Sequence, residues 1–435
     1  MYRPPPDEVF GLPAFAWRLS APIIAAGVFL ASYISWRPAD MLFTLSDALF
    51  LAGAGLILLA RRMPAQPLGP LTTPWLLLTG LMLTGLFIGS AAHGVADRWL
   101  IVAMQYAFSL VVLPALLLSH DARRTLLFFK ALLAGVFCME LFGILLYFGY
   151  DGTYEEFRRF GPDFVTGARR LGAFLGDANW NAAAITLALP FALFLRLRRQ
   201  ISSFVFNLLM GVFLMALILT ASVGGILSGT ASLIIFGVTA RVKPSAKSLV
   251  IIFTAIGLAS FSGYGMPKAF SERVTPALET GDVDKAGTFV GRMDLIREAW
   301  GIVENTTVVG IGVDQFREIS VEEAPVHNIF LLLWAEGGLT ALVGWFLLML
   351  LVGATAWLAS YRDRLASALA FSAFGTFIVF SNANPHMYAR FWVVPLLLAL
   401  APALQAVSDR VPAPRLNRRG REAPPAQPFE QITAL

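Results

Sequence analysis

His327 has the setting of a proton acceptor. It follows Pro325 and stands directly before the apolar run Asn328-Ile-Phe-Leu-Leu-Leu-Trp-Ala-Glu-Gly-Gly-Leu339. Proline suits a helix start, so the imidazole is expected where a span enters the membrane from its outer surface. With an ordinary pKa of about 6.5, an imidazole there can take a proton from a hydroxyl near neutral pH. Its other reading is an interfacial histidine bonded to a loop carbonyl. Gly291-Arg292 opens an amphipathic segment. A helix N-terminus beside an arginine makes a phosphate clamp, because free N–H groups and a two-pronged guanidinium converge on one anion. Alternatively, Arg292 pairs with Asp294 or another nearby acid. Arg169 and Arg170 lie just outside an apolar run that Asn179 and Asn181 enter. Groups so placed face a cavity or the protein interior; otherwise the arginines touch lipid headgroups and the asparagines cap the helix. Arg390, about one turn into the last apolar run, either snorkels to the interface or joins the same cavity, and His386 has the same two readings. His93 and His120 read as loop histidines.

The elements that must position these groups are set by composition. The chain has 435 residues, 57% hydrophobic and 14% charged, with a mean hydropathy of +0.69. A soluble domain carries nearer a quarter charged residues, so the chain is expected to be an all-α polytopic membrane protein. Apolar runs fall at about 19–35, 41–60, 74–92, 99–118, 125–149, 180–196, 203–222, 224–240, 248–265, 328–358, 365–382 and 387–407. That makes roughly twelve spans of the length that crosses a bilayer core. Met1 to Arg18 has no small-residue cleavage site, so the first run is read as a span rather than a removed signal. Cys138 is the single cysteine, which excludes an intramolecular disulfide and a CxxC site. The net charge of +5 sits in short connections between spans, a pattern of orientation rather than of nucleic-acid binding. A GxxxxGKS/T loop and a strand-to-helix GxGxxG turn are both absent, which argues against nucleotide use.

Arg61-Arg62, Arg123-Arg124, Arg196/Arg198/Arg199, Arg241/Lys243/Lys247 and Arg362/Arg364 fall in alternate connections, and the tail adds Arg410, Arg415, Arg418, Arg419 and Arg421. The other short connections hold only Arg37 and Arg98. The positive-inside rule therefore predicts cytoplasmic termini (a segment 1–18 and a disordered basic tail 408–435). On the outer side it predicts a loop at about 150–178 and a large loop at 266–326 before the last spans in 327–407. The large loop has eleven Asp/Glu against six Lys/Arg, so an anion site within it must be a local cluster. Leu295, Ile296, Ala299, Trp300 and Val303 recur at helical spacing, which predicts an amphipathic helix lying on something apolar.

These residues resemble a known family. Gly291-Arg292…Trp300, then Gly310-Ile-Gly-Val-Asp-Gln-Phe316, then His327-Asn328-Ile-Phe330…Glu336-Gly-Gly-Leu339 are similar in order and spacing to the O-antigen ligase and polymerase superfamily. Arg170-Leu-Gly-Ala-Phe…Asn179 is similar to the family's R-x-x-G-x-F-x-x-x-N passage. The resemblance implies a bacterial inner-membrane glycosyltransferase that takes a glycan from undecaprenyl diphosphate on the periplasmic side. Ligases deliver it to lipid A–core; polymerases extend a lipid-linked chain. It implies that His327 activates the acceptor hydroxyl and that Arg292 binds the diphosphate leaving group. Arg169 or Arg170, with Asn179, Asn328 and Arg390, would contact substrate. No cofactor, metal or nucleotide is implied, because the energy is stored in the donor. In one respect the chain departs from the pattern. Where the family often has S-R-G after the seventh span, Thr220-Ala-Ser-Val-Gly-Gly225 places Val223 at the arginine position. A phosphate contact is then missing or supplied from elsewhere, Arg390 being one source. The competing class is a lipid-linked saccharide carrier. It would place ionisable residues near the midplane of several spans, where Glu140 stands as the only clear acid.

Overall fold

The apolar runs become helices because, in a bilayer, each backbone N–H and C=O must be satisfied within its own segment. A computed structural model describes residues 11–37, 43–118, 120–242 and 289–408. In chain order its helices are α1 Leu12–Phe29, α2 Leu45–Leu59, α3 Thr72–His93, α4 Ala96–Ala107, α5 Leu113–Leu117, α6 Ala122–Gly149, α7 Tyr154–Phe157 and α8 Ala178–Leu197. They continue as α9 Ser203–Leu219, α10 Val223–Ala240, α11 Phe289–Asn305, α12 Gln315–Ile319, α13 Ile329–Ala359, α14 Arg364–Ser381 and α15 Arg390–Ser408. A π turn at Phe108–Val112 joins α4 to α5 in one rod. The described residues form no strand beyond a lone bridge between Val165 and Leu171.

Among the described residues, nine helices are long and apolar enough to cross a membrane. The protein is an all-helical, multi-pass membrane protein. The expected runs at 41–60 and 203–222 form the shorter apolar helices α2 and α9. The expected run at 248–265 and the opening of the 266–326 loop lie outside the described residues, as do most of the N-terminal segment and the tail. The core is built around α8 and α15, which bury residues on every face. The predicted amphipathic helix is α11. Its Leu295, Ala299 and Val303 are buried, and it lies against α13, with Trp300 edge-on to Trp334 at 5.6 Å.

Side-chain bonds draw the connections together in two groups, one at each end of the bundle. At one end Arg124 donates to the Trp17 carbonyl (2.7 Å), Arg362 to the Ala406 carbonyl (3.0 Å), and Arg198 pairs with Asp363. These are the arginine-rich connections. At the other end Ser35 is tied to Phe174, His93 to Gly310, Asn328 to Asn382 and Trp180 to Asn384. The candidate residues gather there.

α13 is broken where it meets that end. Gly338 adopts φ 67°, ψ −172°, a conformation open essentially only to glycine. The break frees carbonyls that the 307–312 segment then satisfies: Ile311 N–H donates to Ala335 (2.9 Å) and Gly312 N–H to Glu336 (2.9 Å), while Leu339 N–H donates to Thr307 (3.0 Å). A Cβ on Gly338 would strike the Val308 carbonyl, and one on Gly310 would strike the Glu336 backbone. Gly338→Ala is therefore expected to destabilise by about 2–3 kcal/mol or more. Thermal unfolding in detergent should show a lowered midpoint, and an unchanged midpoint would contradict this account of the break.

Candidate functional site

His327 is held at the mouth of α13 by the residue after it and by its neighbours in space. Asn328 is the N-cap: its side chain accepts from Leu331 N–H (3.1 Å), and its Nδ2 donates to Asn382 (3.2 Å). Asn328 is thus committed to fixing the helix start, which sets the backbone that carries His327. The imidazole is half-buried, and its Nδ1 is buried without a hydrogen-bond partner. Burial first, and the neighbouring Arg292 second, hold His327 below histidine's ordinary 6.5, against an opposing pull from Asp177 and the Pro325 carbonyl. The imidazole is therefore neutral at neutral pH, the form that can accept a proton. Arg292 stands in the first turns of α11, and Asp294 beside it is engaged by Arg297 (2.7 Å).

Asp177 leads to the second group. It caps α8 by accepting from Asn179 and Trp180 N–H (2.7 and 2.9 Å). The cap is thus Asp177 rather than either asparagine. Asn179 instead accepts from Arg170 Nη2 (2.9 Å) and from the Ser222 hydroxyl (3.0 Å). Buried Arg170 also donates through Nε to the Thr220 carbonyl (2.8 Å). The guanidinium that reaches the turn carrying Val223 is therefore Arg170's. Arg169 turns away from it, with φ 53° and its guanidinium over the Tyr147 ring, donating to the Tyr147 carbonyl (3.3 Å). Asn181 is fully buried and donates to Glu140 and to the Leu171 carbonyl (both 3.2 Å).

Arg390 opens α15, but in a different pocket. It is buried and paired with buried Asp47 through Nε, donates to Ser109 (3.1 Å) and the Tyr388 carbonyl (2.9 Å) through Nη1, and to Gln105 (3.0 Å) through Nη2. The expectation that Arg390 fills in for the missing turn arginine thus meets a guanidinium whose three nitrogens are all engaged elsewhere. The 382–389 connection it anchors carries His386, half-buried with its ring tilted against that of Tyr388 at 5.4 Å. Burial is the leading cause that pushes His386 down to about 4; Asp314 opposes, while Arg317, Arg98 and His327 add to the lowering.

The expectation of a single deep acid needs correction. Asp47 and Glu336 are buried alongside Glu140. Asp47 lies in the first turn of α2 and Glu336 inside α13, where the apolar run of the sequence gives no sign of which neighbour the side chain meets. Glu336, two residues before the break in α13, accepts from the backbone N–H groups of Asp314 and Phe316. It ties the Gly310-to-Phe316 turn to the helix that starts just after His327. Asp177 had no role from sequence, Glu336 only a place in a motif, and His386 two open readings. The acid three residues before a helical Trp was a readable N-cap signal for Asp177; the other two are defined only by contacts between distant segments.

A family model described as O-antigen ligase matches residues 171–346. That interval holds Asn179, the Val223 turn, Arg292, the Gly310-to-Phe316 turn, His327 and Glu336. No match is found among curated proteins.

Proposed function

We propose that this chain, a member of the O-antigen ligase and polymerase superfamily through residues 171–346, moves a glycan from undecaprenyl diphosphate to an acceptor hydroxyl. The acceptor of first choice is lipid A–core. The setting is the periplasmic face of a bacterial inner membrane, with both termini in the cytoplasm. The observation that carries the reading is a partly buried imidazole just before α13, its Nδ1 without a hydrogen-bond partner, within electrostatic reach of both Arg292 and Asp177. Arg170 and Asn179 are joined to Asp177 through the start of α8. The concentration of arginines at the opposite end supports the orientation.

In this reading the acceptor O–H gives its proton to His327 as its oxygen bonds to the anomeric carbon of the donor. The bond from that carbon to the diphosphate breaks, and its electron pair leaves with undecaprenyl diphosphate. Arg292 meets the growing negative charge, with Arg170, rather than the turned-away Arg169, in support, so the leaving group departs without a metal. Glu336 and the Asn328 cap act as positioning residues for the base.

The pH dependence follows from the sign of the His327 shift. The base works when neutral, and its pKa lies below 6.5, so kcat/KM is flat through pH 7 and falls only on acidification below that value. Arg292→Gln removes a neighbouring positive charge. It should raise donor KM and move the acid limb to higher pH; Arg292→Lys should recover donor use only in part, because the fork geometry is lost. An acid limb unmoved in Arg292→Gln would separate Arg292 from His327.

A polymerase of lipid-linked repeat units for O-antigen, capsule or exopolysaccharide is the second reading, motivated by Val223 at the turn where ligase-like sequences carry arginine. The glycan profile of a deletion strain discriminates. Long chains held on the lipid carrier beside bare lipid A–core mean ligase. Single repeat units on core, or loss of a separate exopolysaccharide, mean polymerase. An unchanged profile in every pool would sink both and return the carrier reading.

A further inference from the structure

We infer that the open cavity of about 390 Å³ lined by Arg98, Asp314, Arg317, Glu318 and Glu323 is an acceptor subsite that takes the hydroxyl groups of a neutral sugar beside His327. This rests on the glycosyl-transfer reading above and names the half of the site which that reading leaves blank.

Its lining fits a polyhydroxylated ligand and not a diphosphate. Three carboxylates accept from sugar O–H groups, and two guanidinium groups donate to sugar oxygens. The balance of acids over cations repels a dianion, whereas Arg292 and Arg170 lie in the region that would attract one. The two halves of the transfer are thus separated by charge. The volume falls in the range of small-molecule clefts and admits one or two sugar rings.

The walls are built rather than incidental. Asp314 has φ 62°, its N–H donates to the buried Glu336 carboxylate, and its own carboxylate accepts from Arg98 Nε (2.8 Å). Arg317 donates to the Glu323 carbonyl (3.2 Å), and Glu318 accepts from Gln315 (3.4 Å). Through Glu336 this wall is fastened to α13, the helix that starts just after His327. The cavity is linked to the base by the chain and by a shared neighbour. Glu323 of the wall, in the Ser320–Ala324 turn, is four residues before His327, and His386 lies within electrostatic reach of Asp314, Arg317 and Arg98 as well as of His327.

The test uses the purified full chain in nanodiscs with a lipid-linked glycan donor. The acceptor is whichever the wild type uses of two soluble probes: core oligosaccharide freed from lipid A, or repeat unit freed from its carrier. Arg317 and Glu318 are exposed on α12, so Arg317→Gln and Glu318→Gln disturb no buried side chain. Each variant loses a charge-assisted hydrogen bond, so acceptor KM should rise about tenfold while donor KM and kcat hold. Acceptor KM within twofold of wild type in both variants, or donor KM rising in parallel, overturns the subsite and leaves transfer itself standing. Absence of transfer by the wild type to either probe overturns the reading beneath it, and the subsite with it.

Discussion

Replacing His327 by alanine is expected to abolish glycan transfer while the protein stays folded and inserted. The structure separates the two effects. The cap of α13 is Asn328, not His327, and the apolar contacts around the helix start come from Val326 and Ile329, both fully buried. Truncating a half-buried imidazole whose Nδ1 holds no partner leaves no hydrogen bond broken at that atom. What should disappear is the proposed proton acceptor, a contribution of about 10²–10⁴-fold in rate where a general base is correctly placed. The variant should fail to complement a deletion strain, yet elute and melt like wild type. Full complementation by His327→Ala would remove the histidine from the chemistry. Loss of both activity and folding would instead make it a structural residue.

The second large effect is on stability, at Arg390. Its guanidinium joins the start of α2, through Asp47, to the rod formed by α4 and α5, through Gln105 and Ser109. It also stacks over Phe108 at 4.4 Å, beside the π turn. Arg390→Met leaves Asp47 as an uncompensated buried charge, and breaking a buried pair from one side costs about 3–5 kcal/mol. Asp47→Asn combined with Arg390→Met removes both charges and should recover most of that loss, because Asn can still accept from Thr44 N–H, as Asp47 does at 2.8 Å. The double variant also settles what the arginine is for. A stable double variant with full transfer makes Arg390 a positioning residue for the 382–389 connection. A stable double variant without transfer makes it a substrate contact. A single variant that melts within a degree of wild type would contradict the buried-pair account.

Much of this was legible in the sequence, and the limits have physical causes. Apolar length marks a span because the bilayer fixes the distance to be crossed, so the runs from 19–35 to 387–407 that fall among the described residues each contain a helix. The face of Leu295, Ala299 and Val303 was readable because periodicity reports which side of a helix is covered. Periodicity does not say by what, and α13 with Trp334 emerged only in three dimensions. The glycine-rich turn and the glycine pair after Glu336 were visible as letters in fixed order. Their reason, a helix broken at Gly338 and clamped by the 307–312 backbone, needs two segments that the chain brings together from separate elements. The polar side chains were hardest. Asn179 was readable as near a helix start, yet its partners Arg170 and Ser222 come from different connections. Arg390 showed its charge and depth in the sequence, but its partner Asp47 lies 343 positions away.

The most direct test of the central claim is reconstitution of the wild-type chain and His327→Ala in nanodiscs with a glycan on undecaprenyl diphosphate and lipid A–core as acceptor. Product and freed undecaprenyl diphosphate are quantified together. The account predicts one carrier released for each glycosidic bond formed by wild type, with no nucleotide added, and neither product from His327→Ala. Equal turnover by the two proteins, or glycan crossing the membrane still attached to its carrier, would contradict it.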